Sequence, residues 1–341
     1  MVDAQKVFDN LSCRSHSSYN SMIIGYIKSG ELQKAVDFYQ TLEEGCFSVH
    51  LNEYAFVAIL KACTKLKDAE RGGRIHVQIA RRGFLESNVI LGTALVDMYC
   101  NCGMLKKARE VFEKLPERDV VAWTSLISGY TQHNQSNMAL ASFQLMLTQG
   151  ICPSSATFVC VLKACGDVGD EDKGFEIHVE VVRKGLLKTN ALVGNALVDM
   201  YAKCGAPAKA HAVLYELPHR NVVSWSALIG GYIEEGKCHE ALNCFERMQR
   251  EGLYPNEFTF TGILKAVGCV GAIACGSSRA LEKGIEIHAE LARKQLVKDN
   301  AVVGTALVDM YAKCGDLLFA QEVFEKLPIR SIDSWNALIT G

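Results

Sequence analysis

The sequence has few of the features that mark linkers, membrane spans or generic nucleic-acid binders. Only six of its 341 residues are proline and no segment is of low complexity, which leaves little room for a flexible linker. No uninterrupted apolar run approaches the roughly 20 residues that a membrane helix needs, so we expect no membrane partner. The formal net charge is −2, whereas generic phosphate binders are strongly basic. Any binding of nucleic acid must therefore come from local arrangement.

The N-terminus also lacks a recognisable targeting signal. Residues 1–15, MVDAQKVFDNLSCRS, have neither the apolar core of a secretory signal nor the Arg- and Ser-rich, acid-poor character of a transit peptide. The absence is informative only where the start of the chain is native.

The sequence repeats itself with a period of 102 residues. NALVDMYAKCG (195–205) matches TALVDMYCNCG (93–103), and it recurs as TALVDMYAKCG (305–315) after a displacement of 110. The longer displacement reflects eight residues inserted between Ala266 and Gly284, and we assign the insert to the segment VGAIACGSSR. We interpret this insert as either a surface loop or an error in the gene model. Because a fixed period is the mark of repeat architectures, the repeat decides the fold.

Each 102-residue block divides into three helical hairpins. In residues 222–256, Trp225, Leu228 and Tyr232 are three and four residues apart, and the same spacing resumes after Gly236. Neither helix is apolar enough to stand alone, so only stacking on neighbouring hairpins would bury both of its faces. The sequence therefore predicts an all-α fold, an α-solenoid of stacked helix-turn-helix repeats.

The predicted hairpins alternate in length as 35, 36 and 31 residues, and the first has two extra residues. Both ends of the chain fall inside a repeat, so we expect a fragment rather than a whole protein. The predicted boundaries are a partial repeat at 1–15, complete repeats at 16–52, 53–88, 89–119, 120–154, 155–190, 191–221, 222–256, 257–300 (with the insert) and 301–331, and a truncated repeat at 332–341.

These three lengths and their motifs resemble the P, L and S repeats of the pentatricopeptide repeat proteins of plant organelles. VVSWSALIGGYIEEGKCHEALNCFERMQREGLYPNE is similar to the P type, FTFTGILKAVG with KGIEIH to the L type, and VVGTALVDMYAKCGDLLFAQEVFEKLP to the S type. Tetratricopeptide repeats share the hairpin but keep a uniform period of about 34 residues. The resemblance implies a right-handed superhelix, a location in the mitochondrion or chloroplast, and recognition of single-stranded RNA with one base per repeat.

In the family that these repeats resemble, the fifth and last residues of each repeat face the base edge. Asn and Thr at the fifth position offer different donor and acceptor sets, and Asp or Asn at the last position helps to select among bases. The implied pairs here are Asn20 with Asn52, Val57 with Asn88, Thr93 with Asp119, Thr124 with Ser154, Val159 with Asn190, Asn195 with Asn221, Ser226 with Asn256, Thr261 with Asn300 and Thr305 with Ser331, followed by Asn336 without its partner.

The second residue of a repeat helps to sandwich the base ring in that family. Ser17 and Ala156 fit this role poorly, and Asp333 departs from it. The side chains of Val57 and Val159 have no hydrogen-bonding group. We therefore expect their two L repeats to act as spacers or to stack on a base rather than to read its edge. The apolar wedges implied by the resemblance are Ile90, Val121, Leu192, Val223 and Val302.

The family's pairing preferences imply an RNA sequence. Thr with Asp favours G, Thr or Ser with Asn favours A, and Asn with Asn favours a pyrimidine. From the N-terminus, in the 5′ to 3′ direction, the pairs imply pyrimidine, unread, G, purine, unread, pyrimidine, A, A, purine, pyrimidine. The alternative is that these polar residues are simply exposed in a first helical turn, but they recur at one offset in all but two repeats.

Fourteen cysteines invite a disulfide or zinc interpretation, which the repeat itself tests. Cys63 and Cys165 occupy one repeat position, but the third copy has Val267, which a metal ligand or a disulfide would not tolerate. The equivalent cysteines of the VDMY motif are about 100 residues apart in a stacked array, too far for shared coordination. We expect reduced, buried thiols and no metal or other cofactor.

His76, His178 and His288 also recur, and the last two lie in the H-x-E half of a zinc deaminase signature. The complete signature needs P-C-x-x-C, and none of the six prolines precedes a cysteine. We therefore interpret the histidines as structural. The repeated aspartate of VDMY is interpreted as solvated or hydrogen-bonded within its repeat rather than catalytic.

The sequence thus predicts an RNA-binding adaptor and not an enzyme. Its concave groove would hold about nine or ten nucleotides and present them, most often for C-to-U editing. The implied partners are single-stranded RNA and editing cofactors or a deaminase, supplied beyond Gly341 or by another protein, and we expect a monomer. The competing hypothesis is a protein-interaction scaffold, because α-solenoids also bind peptides.

Overall fold

The computed structural model describes residues 1–11, 15–44, 51–273, 278–296 and 300–340. Within these ranges every regular element is a helix, so the predicted all-α fold class is confirmed. None of the described helices combines the length and the apolarity that crossing a membrane requires. The chain divides into two compact units, Met1–Ala164 and Cys165–Gly341.

The helices of the first unit are α1 (Val2–Asp9), α2 (His16–Lys28), α3 (Leu32–Glu44), α4 (Glu53–Leu66), α5 (Ala69–Arg81), α6 (Phe84–Ser87), α7 (Val89–Asn101), α8 (Leu105–Glu113), α9 (Val120–Gln132), α10 (Ser136–Thr148) and the start of α11 (Ser155–Val168). Those of the second unit are α12 (Glu171–Arg183), α13 (Leu186–Thr189), α14 (Ala191–Lys203), α15 (Pro207–Glu216), α16 (Val222–Glu234), α17 (Cys238–Arg250), α18 (Glu257–Ile273), α19 (Ser278–Arg293), α20 (Ala301–Lys313), α21 (Leu317–Lys326) and α22 (Ile332–Thr340).

Within each unit the helices stack as antiparallel hairpins. In the second unit α14 packs against its own partner α15 and against α16, and α16 packs in the same way against α17 and α18. The side chains of Tyr201, Trp225, Phe260 and Tyr311 fill the layers between them and are almost completely buried. The first helix of each hairpin therefore contributes most of the core.

The VDMY motif ends its helix in the same way each time. Gly103, Gly205 and Gly315 have φ values of 76°, 74° and 84°, in the left-handed region that glycine adopts without strain. After Gly103, the backbone N–H of Met104 donates to the carbonyl of Tyr99 at 2.9 Å, which closes the helix end. The motif thus forms the C-terminal part of a helix, and its glycine ends that helix.

A close approach of helices explains another recurring glycine. A Cβ atom built on Gly72 or Gly284 would lie 2.5 Å from the Sδ atom of a methionine on the first helix of the following repeat, closer than real contacts allow. A larger residue at either position would require this methionine side chain to move. The three pairs are Gly72 with Met98, Gly174 with Met200 and Gly284 with Met310.

The eight-residue insert lengthens two helices. Helix α18 has 17 residues where α4 has 14, and α19 has 16 where α5 has 13. Val270 and Gly271 are buried, and a Cβ on Gly271 would lie 2.5 Å from the Sγ atom of Cys314. The surface-loop interpretation is therefore wrong for residues 270–273, which continue helix α18, with Val270 and Gly271 buried and Ile273 exposed. Residues 274–277 lie outside the described residues.

Candidate nucleic-acid interface

The predicted last residue of each complete repeat is the N-cap of the following helix. In every case a side-chain oxygen accepts a hydrogen bond from a backbone N–H two or three residues into that helix, at 2.8 to 3.3 Å. N-cap preference alone selects Asn, Asp and Ser, so residue type at this position is not by itself evidence of base contact. These residues are Asn52, Asn88, Asp119, Ser154, Asn190, Asn221, Asn256, Asn300 and Ser331.

Asp and Asn differ in the side-chain atom that the N-cap hydrogen bond leaves unused. Asp119 uses Oδ1 to cap Ala122 at 2.8 Å and keeps Oδ2 as a second acceptor. Asn221 uses Oδ1 to cap Ser224 and keeps Nδ2, which can only donate. The last position therefore presents an acceptor where it is Asp and a donor where it is Asn.

The fifth-position residues are not simply exposed. The side chains of Asn20, Thr93 and Ser226 are buried, and Thr124, Asn195, Thr261 and Thr305 are half-buried. The solvent-exposed alternative is therefore wrong for Asn20, Thr93 and Ser226. Asn336, in the truncated repeat, is exposed.

Fifth-position hydroxyl groups mostly use their hydrogen within their own helix. Thr124 donates to the carbonyl of Val120 at 2.6 Å and Thr305 to that of Ala301 at 2.9 Å, and Ser226 and Thr261 do the same. Such a hydroxyl faces its surroundings as an acceptor. The exception is Thr93, whose buried Oγ1 has no hydrogen-bond partner among the described residues.

The structure brings several predicted pairs together. Asn221 donates from Nδ2 to Oδ1 of Asn195 at 3.3 Å, and the backbone N–H of Asn52 donates to Oδ1 of Asn20 at 3.2 Å. These two pairs meet directly, although their residues are 26 and 32 positions apart in sequence.

Two further pairs meet through a bridging threonine that the sequence reasoning missed. The Oγ1 atom of Thr157 lies 2.7 Å from that of Thr124 and 2.9 Å from Oγ of Ser154. Thr259 joins Ser226 to Asn256 in the same way, at 2.5 and 2.8 Å. The sequence feature that could have revealed this bridge is a threonine at the third position of the repeats at 155–190 and 257–300, 102 residues apart. Both threonines are buried.

A cleft in the second unit collects residues from three successive repeats. Its volume is about 540 Å³, and fifth-position residues of all three repeats line it, together with two second-position residues, one last-position residue and one lysine. These residues are Thr261, Thr305 and Asn336, then Val302 and Asp333, Ser331 and Lys265. The predicted site residues here form one continuous surface.

The second-position residues form rows of exposed apolar side chains. The five predicted wedges are 55 to 69% exposed, although buried positions surround them in sequence. Two aromatic residues at this position were missed: Tyr54 is 78% exposed and Phe258 is 68% exposed. Counting the second position in the repeats at 53–88 and 257–300 would have found both. Exposed aromatic rings are the side chains on which single-stranded bases stack.

The recurring histidines join one hairpin to the next. The Nδ1 atoms of His76, His178 and His288 lie 3.0, 3.0 and 2.9 Å from the hydroxyl oxygen of the tyrosine in the following VDMY motif. Glu180 of the H-x-E triplet instead pairs with Arg183. In the described part of the chain, no group of three or more His, Cys, Asp or Glu residues could hold a metal ion.

We expect these histidines to make stability depend on pH. Burial lowers the pKa of His76, His178 and His288 below the ordinary value of 6.5. Below about pH 6.5 the unfolded chain therefore binds more protons than the folded chain, and stability falls as the pH falls. The midpoint of thermal unfolding should be lower at pH 5.5 than at pH 7.5. Replacing all three by Gln should remove part of this difference, and an unchanged difference would contradict the assignment.

Six of the described cysteines are buried as predicted, but the prediction of buried thiols is wrong for Cys152, which is exposed. Burial raises the pKa of Cys63 and Cys165 to about 12, which keeps both thiols protonated and unreactive at neutral pH. The Sγ atom of Cys204 lies 3.8 Å from the backbone carbonyl oxygen of Cys165, and that of Cys314 lies 4.0 Å from that of Val267. Because the contact is to the backbone, valine replaces cysteine at this position without loss.

The VDMY aspartates pair with the residue four positions later. Asp199 contacts Lys203 at 2.9 Å and Asp309 contacts Lys313 at 2.8 Å. Asp97 accepts a hydrogen bond from Asn101 at 3.0 Å. These contacts place the aspartates in bonds within their own helix.

The fold and the interface together define a class, the helical-repeat proteins that present one small set of polar residues per hairpin. Comparison with known families identifies which one. A model described as PPR repeat family matches residues 118–167 and 220–268, and a model described as PPR repeat matches 17–46, 93–120, 195–222 and 305–332. The chain belongs to the pentatricopeptide repeat family.

Curated relatives agree with this assignment. A chloroplastic pentatricopeptide repeat-containing protein of Arabidopsis thaliana is 37% identical over 290 residues, which are 85% of this chain and 45% of the relative. A mitochondrial one from the same plant is 35% identical over 339 residues, or 99% of this chain and 47% of the relative. The chain thus spans about half the length of these relatives.

Solved structures share the fold. The crystal structure of the pentatricopeptide repeat protein PPR10 from maize matches with a TM-score of 0.71 and 20% identity, over 98% of this chain and 46% of the maize protein. PPR10 in complex with an 18-nucleotide psaJ RNA element matches with a TM-score of 0.75, over 94% of this chain and 46% of that protein.

Proposed function

We propose that this protein binds single-stranded RNA and reads one base per repeat through the fifth and last residues. The observation that carries the proposal is the cleft of about 540 Å³, in which Thr261, Thr305 and Asn336 line one surface with Ser331 and the wedge Val302. The matching complex of PPR10 with an RNA element supports RNA as the ligand. The groove offers donors, acceptors and apolar surface to a base and its ring faces.

The atoms left free by the N-caps give the pairs a chemical basis. A fifth-position Thr that acts as acceptor, with a last Asn that acts as donor, complements the N6 amino group and N1 of adenine. The same Thr with the free Oδ2 of Asp complements the two neighbouring N–H donors of guanine. Asn195 with Asn221 offers amide donors to the ring acceptors of a pyrimidine. These patterns agree with the preferences that the family resemblance implies.

We extend this assignment to the P, L and S alternation, and to every repeat except the two whose fifth residue is valine, at 53–88 and 155–190. The proposed base-reading residues are Asn20, Asn52, Thr93, Asp119, Thr124, Ser154, Asn195, Asn221, Ser226, Asn256, Thr261, Asn300, Thr305, Ser331 and Asn336. The wedges that would sandwich the bases are Ile90, Val121, Leu192, Val223 and Val302.

The L-type repeats of Tyr54 and Phe258 would add stacking. Changing Tyr54 to Leu keeps an apolar wedge but removes the aromatic face, so we expect RNA affinity to fall by about 1 kcal/mol. The loss should be similar whichever base stands opposite, because every base has a stacking face. Fluorescence anisotropy with four RNAs that differ only at the second base would measure it. A loss confined to one base would show edge reading instead.

We further propose that the chain is the recognition part of an organellar RNA-processing system, in the chloroplast or mitochondrion, for C-to-U editing. The chloroplastic and mitochondrial names of its relatives support this location. The reacting enzyme would be a deaminase supplied by the parent protein or by a partner.

The direct test is binding of the 341-residue chain to a ten-nucleotide RNA of the implied sequence and to a scrambled RNA of equal composition. We expect the implied sequence to bind at least tenfold more tightly, corresponding to about 1.4 kcal/mol. Equal affinity for the two RNAs would reject base reading, and absence of binding to both would favour a peptide-binding solenoid.

A further inference from the structure

Two L-type repeats carry a glutamate at their first position that engages the last residue of the same repeat. The Nδ2 atom of Asn300 donates to Oε2 of Glu257 at 2.5 Å, and Nδ2 of Asn88 donates to Oε2 of Glu53. Each Asn already uses its Oδ1 atom to cap the next helix. Oδ1 and one of the two Nδ2 hydrogens of each Asn are therefore engaged within the protein.

This arrangement changes the hydrogen-bonding groups that the last position shows to a base. In Asn221 the Nδ2 donor points to the fifth-position Asn195, on the base-reading side. In Asn300 the donor points instead to a carboxylate, and that carboxylate is exposed and retains further lone pairs. An acceptor thus lies beside the amide and takes one of its two N–H donors.

The middle L-type repeat provides an internal comparison. Its first residue is Ser155, whose side chain has no carboxylate, and its last residue is Asn190. Among the described residues Asn190 accepts two N-cap hydrogen bonds, and its Nδ2 atom makes none. Its amide remains a free donor.

We propose that Glu257 is a specificity-determining residue, and that with Thr261 it makes the eighth repeat select G where the pair of Thr261 and Asn300 alone implies A. The hydroxyl of Thr261 donates to the backbone carbonyl of Glu257 at 2.9 Å, so it too faces a base as an acceptor. Two acceptors complement the two adjacent N–H donors of guanine and oppose the N1 acceptor of adenine. Glu53 has the same geometry, but its fifth-position partner Val57 cannot read.

A structural role for Glu257 is the competing explanation, since a carboxylate in the first turn of a helix is stabilised by the helix dipole. The two explanations differ in what they change. Loss of a helix-stabilising charge lowers the unfolding midpoint but leaves the ratio of affinities for two RNAs unchanged, whereas loss of a reading group changes that ratio.

The inference rests on the proposed RNA binding, so the experiment measures two positions. Binding of the full chain would be measured for ten-nucleotide RNAs with A or G at base eight, and for RNAs with A or G at base three, where Thr93 and Asp119 also imply G. We expect wild type to prefer G at both bases, by roughly tenfold on the scale of base discrimination. Glu257→Ala and Glu257→Gln should both invert the preference at base eight towards A and leave base three unchanged.

Glu286→Ala is the matched control, since Glu286 is an exposed glutamate on α19 that pairs with Lys283. It should change neither ratio. If wild type prefers A at base eight, or if the ratio is the same in Glu257→Ala and Glu257→Gln as in wild type while base three still prefers G, the role of Glu257 is refuted and RNA reading stands. If neither base shows a preference, the proposed function itself is refuted.

Discussion

Replacing Gly231 by alanine is expected to destabilise the second unit by about 1 to 3 kcal/mol, whereas the same replacement at its neighbour Gly230 should stabilise it by about 0.5 to 1 kcal/mol. The two glycines are adjacent on helix α16. Intrinsic helix propensity favours alanine equally at both positions, so a difference in sign can only come from packing.

The packing difference is large. A Cβ on Gly231 would lie 2.7 Å from the Cβ and 2.9 Å from the Cα of Ala202 on helix α14, and the Cα cannot move without moving the backbone. A Cβ on Gly230 would meet nothing within 4 Å. Alanine at position 231 therefore forces α14 and α16 apart, and alanine at position 230 adds helix propensity alone.

The measurement is the midpoint of urea or thermal unfolding for the two variants and wild type. Because stacked repeats couple mainly to their neighbours, the loss for Gly231→Ala should appear as early unfolding around α14 and α16 in hydrogen exchange. Equal shifts for the two variants would show that the helices are not in close contact at this layer.

The fold class could be predicted from the sequence because three copies of the repeating block show which residue types each position tolerates. The change from Cys165 to Val267 argued against a conserved thiol role at this repeat position, and in the structure Cys314 contacts the backbone carbonyl of residue 267 rather than its side chain. Helical hairpins followed from the spacing of Trp225, Leu228 and Tyr232, all of which are buried. Local periodicity and burial are properties that sequence carries directly.

What sequence could not provide are contacts between side chains about 30 residues apart. The bridge from Thr124 through Thr157 to Ser154 depends on how neighbouring hairpins stack, which no spacing rule states. Asn300 caps a helix with its Oδ1 atom and binds Glu257 with its Nδ2 atom, and this double role could not be predicted from the sequence either. The proposed register of the site follows from the repeat, but the atoms that remain free to bind a base at each position could not be predicted from the sequence.

Changing Thr93 to Asn is expected to move the preference at the third base from G towards U by about 1 to 3 kcal/mol, on the scale of base discrimination seen in DNA contacts. Asp119 keeps Oδ2 as an acceptor after capping Ala122, and it would still accept from the N3–H group of uracil. The amide that Thr93→Asn introduces would donate to a uracil carbonyl, whereas the hydroxyl of the wild-type Thr93 complements the donors of guanine.

The site can accommodate this change. Thr93 is buried, but the same position in the next VDMY helix is Asn195, which is half-buried and bonds to Asn221 at 3.3 Å. The repeat thus already contains the larger residue at this place. Moreover, Thr93 has a buried Oγ1 without a hydrogen-bond partner among the described residues, so the substitution breaks no bond within them.

The reciprocal variant is the control. Asn195→Thr leaves Thr with Asn221, and it should move the sixth base from pyrimidine towards A while the third base keeps its G preference. Affinities of both variants for RNAs that carry each of the four bases at positions three and six would measure the two switches. A switch at any other base would show that the register is displaced, and no switch at either would show that the fifth residue does not read the base. Thr93 and Asn195 occupy the same repeat position 102 residues apart. The two substitutions therefore test both the predicted repeat boundaries and the proposed base preferences.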